Sequence, residues 1–452
     1  MASNNSIPVY RPGQSSIMPE YYPHYSNETV KLMAYDITDK SNIKKVREIE
    51  LEGSYLSSRK IGSKLYLVSN KRFNYHRILD NAEVNDTPSY RDTAVKEEFI
   101  NIDHGKIEYF PGSVEPNYMI VAGVNFDLPK EGVNVSTYLG SGESIYASAE
   151  NLYVAVTRYN NTRVPGPIIN DSAAPKKIEI KVSDRETVIY RFALNNGKLD
   201  YTGKGSVPGS ILNQFSMDED KGYFRIATTK GNLFGEGENI SKNNMYVLDS
   251  DMNACGSLED IAPGERIYSV RFMGDRAYMV TFKKVDPLFV IDLKDPQNPA
   301  ILGALKIPGY SDYLHPYDEN HIIGFGKDTI ELSNEGIRNR EGTTAYYQGM
   351  KIALFDVSDV SNPKEKFKEI IGDRGTDSEL LNNHKALLFS REKELMAFPV
   401  TVMEIESGSN VEDNRPVYGS FSFQGAYVYN VDLEEGFKLR ARISHISEEE
   451  YK

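Results

Sequence analysis

The sequence predicts an all-β chain built from repeated four-stranded antiparallel sheets, and two observations lead to that prediction. The stretch from Arg266 to Ile307 holds four short apolar runs, which turn signals such as Gly274-Asp275 and Asp295-Pro296 interrupt. Short runs rich in Val, Ile, Tyr and Phe favour strands, because branched and aromatic side chains fit a pleated surface. The middle runs are apolar at nearly every position, which indicates that protein covers both faces of this sheet.

The second strand of this unit recurs along the chain. Its copies share a short polar start and a continuous apolar run: SKLYLVSN (63–70), ENLYVAVT (150–157), KGYFRIATT (221–229), DRAYMVTF (275–282), ENHIIGFG (319–326) and KELMAFPV (393–400). Their unequal spacing predicts insertions between strands. A ring of such sheets removes long exposed edges. The sequence therefore predicts a β-propeller of four-stranded antiparallel blades, six complete plus a partial seventh from Thr29 to Leu51, in a ring that can be incomplete.

The pattern also sets domain boundaries. Residues 1–28 are polar with four prolines and predict an extended arm or linker, residues 29–446 form the propeller, and residues 447–452 form an acidic tail. The predicted complete blades cover 54–140, 144–205, 211–260, 266–307, 310–371 and 380–443. Three insertions, 71–116, 159–186 and 328–349, are predicted to be long loops.

Four long segments carry motifs specific enough to compare with known families. They are LNQFSMDEDKGYFRIATT (212–229), GERIYSVRFMGDRAYMVTFKKVDPLFVIDL (264–293), LKIPGYSDYLHPYDENHIIGFG (305–326) and IIGDRGTDSELLNNHKALLF (370–389). In these segments the chain resembles a bacterial and archaeal family of secreted proteins with a C-terminal β-propeller domain. The resemblance implies the propeller fold and an extracellular or cell-surface setting, and it implies no particular activity. The family pattern also implies a leader, an upstream acidic motif and a further strand pair, so a truncated chain is the simplest interpretation.

Composition excludes several classes of partner. The 452 residues carry a net charge of −13, which disfavours nucleic acid and anionic membranes, because both need a basic surface. An acidic, tyrosine-rich chain suits a protein or carbohydrate partner, and we expect a monomer.

Cys255 is the single cysteine, which excludes an internal disulfide and any CxxC site. The sequence given shows no signal peptide and no run of 18 apolar residues that predicts a transmembrane span.

Polar residues concentrate in the predicted first strand of each blade. By analogy with other propellers, these strands line a central channel whose ends bind ligands. The predicted ligand-binding residues are Arg59, Tyr146, Gln214, Asp218, Arg271, His315, His384 and Lys385. Such a ring can hold an anion, a sugar or a peptide terminus; alternatively, its members bond only one another and channel water. We favour a non-enzymatic binding or scaffold module that contacts its ligand or protein partner at the axial channel or a propeller face.

The alternative function is a hydrolase or lyase that acts in the channel. Two histidines and an acid, His315, His384 and Asp218, can bind a metal or serve as a base and its orienting group. Neither histidine lies in an HExxH motif, and the nucleophile elbow, P-loop and GxGxxG signatures are absent from the sequence. Enzyme activity therefore stays open, with a non-enzyme favoured.

A calcium loop was also considered, and no cofactor is predicted. Asp249, Asp251 and Asn253 have the one-three-five spacing of such a loop, and Asp260 falls at its twelfth position. The sixth position is Ala254, where the sharp turn needs Gly, and the twelfth is usually Glu. An ordinary turn between strands is therefore the favoured interpretation, with calcium as the alternative.

Overall fold

The computed structural model describes residues 28–73, 87–109, 117–160, 184–233, 235, 237–282, 286–334, 342–406, 411–412 and 415–446. Almost all regular structure in these ranges is β-strand. Five short 3₁₀ turns lie at His104–Lys106, Gln214–Ser216, Gly237–Asn239, Glu379–Leu381 and His384–Ala386. In these ranges no helix is long and apolar enough to cross a membrane.

The strands follow in chain order. They are β1 (Thr29–Asp36), β2 (Lys44–Glu52), β3 (Ser54–Ile61), β4 (Lys64–Arg72), β5 (Ser89–Asp92), β6 (Lys96–Asn101), β7 (Ile107–Tyr109), β8 (Asn117–Asn125), β9 (Asn134–Leu139), β10 (Ser144–Ala147), β11 (Asn151–Asn160), β12 (Asp184–Asn195), β13 (Lys198–Pro208), β14 (Met217–Asp220), β15 (Tyr223–Lys230), β16 (Lys242–Leu248), β17 (Ala254–Ile261), β18 (Arg266–Met273), β19 (Arg276–Phe282), β20 (Asp286–Asp292), β21 (Ala300–Ile307), β22 (Tyr310–Asp318), β23 (His321–Ser333), β24 (Thr343–Asp356), β25 (Lys364–Ile371), β26 (Leu388–Ser390), β27 (Leu395–Glu404), β28 (Val411–Glu412), β29 (Arg415–Pro416), β30 (Ser420–Asp432) and β31 (Gly436–Ile443).

These strands form the six predicted blades. Sheet 1 has the order β3-β4-β8-β9 with β7 added in parallel at its outer edge; sheets 2 to 5 are β10–β13, β14–β17, β18–β21 and β22–β25; and sheet 6 is β26-β27-β30-β31. Sheet 7 has the order β1-β2-β5-β6, and β28 pairs only with β29. Each of the six recurring apolar runs is the second strand of its sheet, so the predicted repeat is confirmed.

Second strands bury side chains on both faces. In β19, Ala277 and Met279 pack in a cluster shared with sheet 3, whereas Tyr278 and Val280 pack in a cluster shared with sheet 5. Successive side chains of a strand point to opposite faces, so one apolar run contributes to two cores. Similar clusters join sheets 7 and 1, 1 and 2, 2 and 3, and 5 and 6. The sheets therefore stack in sequence around an axis.

Sheet 6 is covered on one face. In β27, Met396 and Phe398 are buried in the cluster shared with sheet 5, whereas Pro399 is exposed and Ala397 is partly exposed. No apolar cluster joins sheet 6 to sheet 7 in the described part of the chain. Near the axis, Lys385 Nζ lies 3.3 Å from Tyr55 Oη, which connects the sixth sheet to the first. Among the described residues, apolar packing therefore does not close the ring.

The predicted partial seventh blade exists, but an insertion enlarges it. Strands β5 and β6, from the insertion 71–116, pair outward of β2 in sheet 7. A buried ion pair fixes β5, because Arg47 Nε and Nη2 donate to Asp92 at 2.9 and 2.6 Å, and β6 pairs with β5. The prediction of a loop over 71–116 was therefore wrong for the described residues. Strands were predicted from apolar runs, and these short strands have none.

The other two insertions also begin as strands. Over 328–349, β23 and β24 continue as a paired ladder from Thr329–Tyr347 to Ser333–Thr343. In β23, Ile330 to Ser333 alternate between partly buried and exposed, and in β24 Thr343 to Tyr346 are all partly buried, so the fully buried apolar pattern of the blade ends before the strands do. In the insertion 159–186, β11 and β12 pair up to Asn160 and Asp184. The predicted arm 1–28 and acidic tail 447–452 lie outside the described residues, apart from Glu28.

Glycines with positive φ join each outer strand to the next first strand. The junction residues include Gly53, Gly209, Gly264 and Gly309, with φ between 86° and 102°. A Cβ on Gly309 would lie 2.5 Å from the Lys327 backbone oxygen, so neither the dihedral angle nor the space admits a side chain. Gly222 has a similar φ of 82° in the turn before β15, but a Cβ there would meet nothing within 4 Å.

These two glycines give a matched test of the junction. We expect Gly309→Ala to lower the free energy of unfolding by about 3 kcal/mol, because it adds a backbone clash to dihedral strain. Gly222→Ala should lower it by about 1 kcal/mol through dihedral strain alone. Urea denaturation of both variants measures the difference, and equal losses would show that the junction is not tightly packed.

Candidate functional site

The inner ends of the six sheets enclose two cavities along the axis. Near the beginnings of the first strands, a cavity of about 210 Å³ is lined by residues that include Glu143, Asp312 and Tyr313. Near their ends, a cavity of about 410 Å³ is lined by residues that include Arg59 and Arg271. We call these the N-end cavity and the C-end cavity. Both are lined by Ser57, Ile145, Gln214, Phe215 and His384, so they adjoin.

The structure brings most of the predicted site residues together. Seven of the eight line the C-end cavity: Arg59, Tyr146, Gln214, Asp218, Arg271, His384 and Lys385. The eighth, His315, does not line it; its Nδ1 lies 3.0 Å from the hydroxyl of Tyr313, which lines the N-end cavity. The seven residues come from five sheets and converge although they are distant in sequence, as a propeller predicts.

Three of these residues lie in turns rather than in the predicted first strands. Gln214 belongs to the 3₁₀ turn before β14, and His384 and Lys385 belong to the turn before β26. Each turn is capped by an asparagine: Asn213 accepts the Phe215 N–H at 2.9 Å, and Asn383 accepts the Lys385 N–H at 3.2 Å. An Asn that bonds the backbone two residues later favours a turn over a strand, and this signal was present in the sequence.

Arg271 has no ionic partner among the described residues. Its guanidinium lies over the ring of Phe215, 5.3 Å from the ring centre, at the end of β18. Burial lowers the pKa of Arg271 from its ordinary value, because a low-dielectric environment disfavours the cation. A partly buried guanidinium that faces a cavity and has no carboxylate at ion-pair distance is a ready site for an anionic group.

Asp218 also lines the C-end cavity, but its charge is neutralised. Arg225 Nε donates to Asp218 Oδ2 at 2.9 Å, and Arg225 Nη2 contacts the same oxygen. The Tyr146 hydroxyl donates to Asp218 Oδ1 at 3.3 Å and accepts the Glu219 N–H at 3.1 Å. Burial, and then the Asp218 charge, raise the pKa of Tyr146 to about 12. The remaining charges on the cavity wall, from Arg59, Arg271 and Lys385, are positive.

Both histidines are neutral near pH 7. Burial, and then the charges of Arg271 and His384, lower the pKa of His315 to about 4. Burial, and then the neighbouring Lys385 and Arg271, also lower the pKa of His384. The His384 ring packs edge-on against Phe215 at 4.8 Å, and within the described ranges Asp218 bonds neither histidine. Hydrogen bonds therefore do not connect the three candidate catalytic residues to one another.

The sequence analysis missed Asp312, which lines the N-end cavity. Its strand has a β-bulge: Ser311 pairs with Gly326 and Tyr313 with Phe325, so Asp312 has no partner in the ladder. The same irregularity occurs at Leu56 in β3 and Tyr268 in β18. A bulge re-aims a side chain, which a regular alternation of faces cannot predict. Burial raises the pKa of Asp312 to about 7.

Two of the four candidate calcium ligands, Asp249 and Asp260, have side-chain partners within the protein. Asp249 Oδ1 accepts the N–H groups of Asp251 and Asn253, both at 2.9 Å, as the turn interpretation predicts. Asp260 lies 2.8 Å from Lys242 Nζ and 3.5 Å from Lys230 Nζ. In the described part of the chain, no group of three or more His, Cys, Asp or Glu side chains is placed so that it could hold a metal ion. Calcium binding by these residues stays a prediction.

Two arginines of the site should differ in their effect on stability. We expect Arg271→Met to raise the free energy of unfolding by about 1 kcal/mol, because it removes a desolvated cation without an ionic partner. We expect Arg225→Met to lower it by about 3 kcal/mol, because Asp218 would lose its buried partner. Urea denaturation at pH 7 measures both changes. A destabilised Arg271→Met would contradict the view that this guanidinium awaits a ligand.

Asp312 should make stability depend on pH in a specific direction. Its pKa is about 7 in the folded protein and near 3.8 in an unfolded chain, so its favourable contribution is lost as the pH rises through 7. Asp312→Asn should therefore increase the free energy of unfolding relative to wild type, by about 2 kcal/mol more at pH 8 than at pH 5. Denaturant titrations at the two pH values test this, and a gain independent of pH would refute it.

Comparison with known proteins identifies a family. The family model described as "Beta propeller domain" matches residues 5–452. The chain is 33% identical over 418 residues to an uncharacterised protein of Methanocaldococcus jannaschii, covering 76% of this chain and 60% of that one. It is 40% identical over 214 residues to an uncharacterised protein of Archaeoglobus fulgidus, covering 47% and 30%. The chain therefore spans less than two thirds of the length of these archaeal relatives.

Solved structures are similar only at a distance. The Pseudomonas aeruginosa periplasmic gluconolactonase has 12% identity and a TM-score of 0.36, covering 75% of this chain and 93% of its own. A Synechocystis apocarotenoid oxygenase has 8% identity and a TM-score of 0.28, covering 55% and 54%. Such distant likenesses carry no argument about activity. The family match over nearly the whole sequence is decisive, and the chain belongs to the Beta propeller domain family.

Proposed function

We propose that this protein is a non-enzymatic binding module that acts outside the cell and holds an anionic group of a carbohydrate or protein partner in the C-end cavity. The observation that carries the proposal is Arg271, a partly buried guanidinium that faces the cavity with no carboxylate at ion-pair distance in the described chain. Buried charges are normally paired, so an unpaired one that faces a cavity favours a ligand of opposite charge.

The charge around Arg271 supports an anionic ligand. Arg59 and Lys385 line the same cavity, whereas the carboxylate of Asp218 is already bound to Arg225. The protein as a whole carries a net charge of −13, so this cavity is a local exception to an acidic chain. A charged cleft with low-dielectric walls concentrates field and attracts an oppositely charged group.

The shape of the cavity indicates the size of that group. Its volume of about 410 Å³ lies in the range of small-ligand pockets, at the lower end. Phe215 supports one face of the Arg271 guanidinium, which leaves N–H groups to donate in its plane. A carboxylate fits this fork with two parallel hydrogen bonds. A sugar acid, or the C-terminal residue of a peptide, meets both the size and the charge requirement.

The hydrolase or lyase alternative has less support. It needs a base that a carboxylate orients, but Asp218 bonds Arg225 and Tyr146 instead of His315 or His384. The lowered pKa of each histidine keeps the ring neutral, which suits hydrogen bonding to a ligand as well as base catalysis. The extracellular setting rests on the resemblance described above and is part of the proposal.

Calorimetric titration of the purified protein tests the proposal. The ligands are oligogalacturonate, a neutral dextran of equal length, and a peptide with either a free or an amidated C-terminus. We expect binding only to ligands with a free carboxylate, and we expect Arg271→Gln to weaken it by about tenfold or more, because a charge-assisted hydrogen bond is lost. Arg440→Gln, a substitution of an exposed arginine on β31, is the matched control and should leave the affinity unchanged.

Two results would contradict the proposal. One is carboxylate binding that Arg271→Gln leaves intact, because the site would then lie elsewhere. The other is turnover of a polysaccharide, peptide or ester substrate that is lost in the double variant His315→Ala, His384→Ala, because the protein would then be an enzyme.

A further inference from the structure

The charge on the wall of the axial channel changes sign along its length. The wall of the N-end cavity carries two carboxylates, Glu143 and Asp312, and neither lysine nor arginine among the residues that the structure describes. The wall of the C-end cavity carries the cations Arg59, Arg271 and Lys385. The two cavities adjoin, so one ligand can reach both. A ligand with a positive group at one end and a negative group at the other matches this arrangement.

The carboxylate of Asp312 has no hydrogen bond and no ion pair within the described chain. Two cations lie near enough to affect its pKa, but each has another partner. Lys327 Nζ lies 2.9 Å from Asp377 Oδ1, and Arg266 Nη2 donates to the Tyr268 hydroxyl at 3.2 Å. Because a desolvated carboxylate without a partner is unfavourable, its presence in a cavity wall favours a ligand of opposite charge.

Asp312, rather than Glu143, is placed to bind that ligand. Glu143 is exposed, and its Oε2 accepts the Thr157 N–H at 3.0 Å. The backbone next to Asp312 is fixed, because the buried Ser269 hydroxyl donates to the Ser311 carbonyl at 2.6 Å. A side chain that a bulge presents from a fixed backbone loses little freedom when it binds a ligand.

Two aromatic rings of the N-end cavity also suit a cation. Phe215 and Tyr313 both line this cavity, and their ring centres are 5.4 Å apart. The faces of aromatic rings attract ammonium groups. Phe215 also lines the C-end cavity, where the Arg271 guanidinium lies over its ring. Phe215 therefore lies between the anionic and the cationic part of the channel.

The positions of Asp312 and Arg271 indicate the length of the ligand. The bond between Ser269 and Ser311 places β18 and β22 side by side at this level. Asp312 directly follows Ser311, whereas Arg271 lies further along β18 than Ser269, by about 7 Å at the rise of a strand. Each residue of an extended peptide spans about 3.5 Å, so about two or three residues bridge the two charged side chains.

We propose that the N-end cavity binds the N-terminal ammonium group of a short peptide at Asp312, while Arg271 holds the C-terminal carboxylate of the same peptide in the C-end cavity. This inference rests on the function proposed above and narrows the ligand to a peptide of about two or three residues with both termini free. A sugar acid meets only half of the arrangement, because it has no ammonium group for Asp312. The C-terminus of a long polypeptide likewise has no free ammonium group at this distance.

Calorimetric titration of the full-length chain with triglycine at pH 7 tests the proposal. Two ligands of nearly the same shape each lack one charge: glycoloyl-glycylglycine, in which a hydroxyl replaces the ammonium group, and triglycine amide, which has no carboxylate. We expect each replacement to weaken binding by about tenfold or more, because each loses a charge-assisted hydrogen bond.

Variants at the two ends of the channel assign each charge to its residue. Asp312→Asn keeps the shape of the side chain, and we expect it to bind triglycine and the hydroxyl analogue equally, about tenfold or more weaker than wild type binds triglycine. Arg271→Gln should instead remove the difference between triglycine and its amide. Glu319→Gln, in the exposed turn after β22, is the matched control and should leave all affinities unchanged.

The outcomes separate this inference from the proposed function. Equal affinity of the wild type for triglycine and its hydroxyl analogue would overturn the inference alone, as would a preference for triglycine that survives in Asp312→Asn. Binding of oligogalacturonate without binding of triglycine would also overturn it and leave the proposed function standing. Carboxylate binding that Arg271→Gln leaves intact would overturn both.

Discussion

The fold depends on strands that are apolar on both faces. A run such as Leu152 to Val156 cannot be covered within a single sheet, because alternate side chains point in opposite directions. Leu152 and Val154 enter the cluster with sheet 1, whereas Tyr153 and Ala155 enter the cluster with sheet 3. Each of sheets 1 to 5 therefore needs a neighbour on each side. Sheets that twist and stack in this way fan around an axis, which brings their first strands together.

The candidate site is a consequence of this convergence. Arg59 and Lys385 lie near opposite ends of the chain, and they reach one cavity only because the sheets between them fan around the axis. Within that cavity, Arg225 neutralises the charge of Asp218. Arg271 packs on the Phe215 ring and has no ionic partner among the described residues, so its positive charge is not balanced. A cation without a partner is unfavourable for folding, so its presence in a cavity is better explained by ligand binding than by stability.

Elements with an apolar pattern that repeats along the sequence could be predicted. Features that depend on a local bulge or on ion pairs could not. The second strands could be predicted because their apolar runs repeat, and seven of the predicted site residues line one cavity because they lie in or just before the first strand of a sheet. Asp312 was missed because a bulge changes the direction of a side chain without changing the pattern. Strands β5 and β6 were missed because ion pairs to Asp92 and Arg91, rather than an apolar face, hold them.

In the described part of the chain, apolar clusters cover only one side of sheet 6, and this follows from the same constraint. In β27, alternate residues are buried and partly exposed, whereas β19 is buried along nearly its whole length. The difference is the presence or absence of a neighbouring sheet. An apolar core between sheets 6 and 7 would bury the exposed residues of β27, as the clusters on either side of sheets 1 to 5 bury their second strands.

The distance between the first and sixth sheets tests the central claim most directly. Spin labels at Ser54 and Asn382, both exposed, can be placed in a Cys255→Ser background and measured by double electron–electron resonance. A fan of sheets that meets at the axis predicts a separation of about 20 Å, because only neighbouring strands and the label linkers intervene. A linear stack of six sheets, spaced about 10 Å apart, would separate the labels by about 50 Å and would contradict the account.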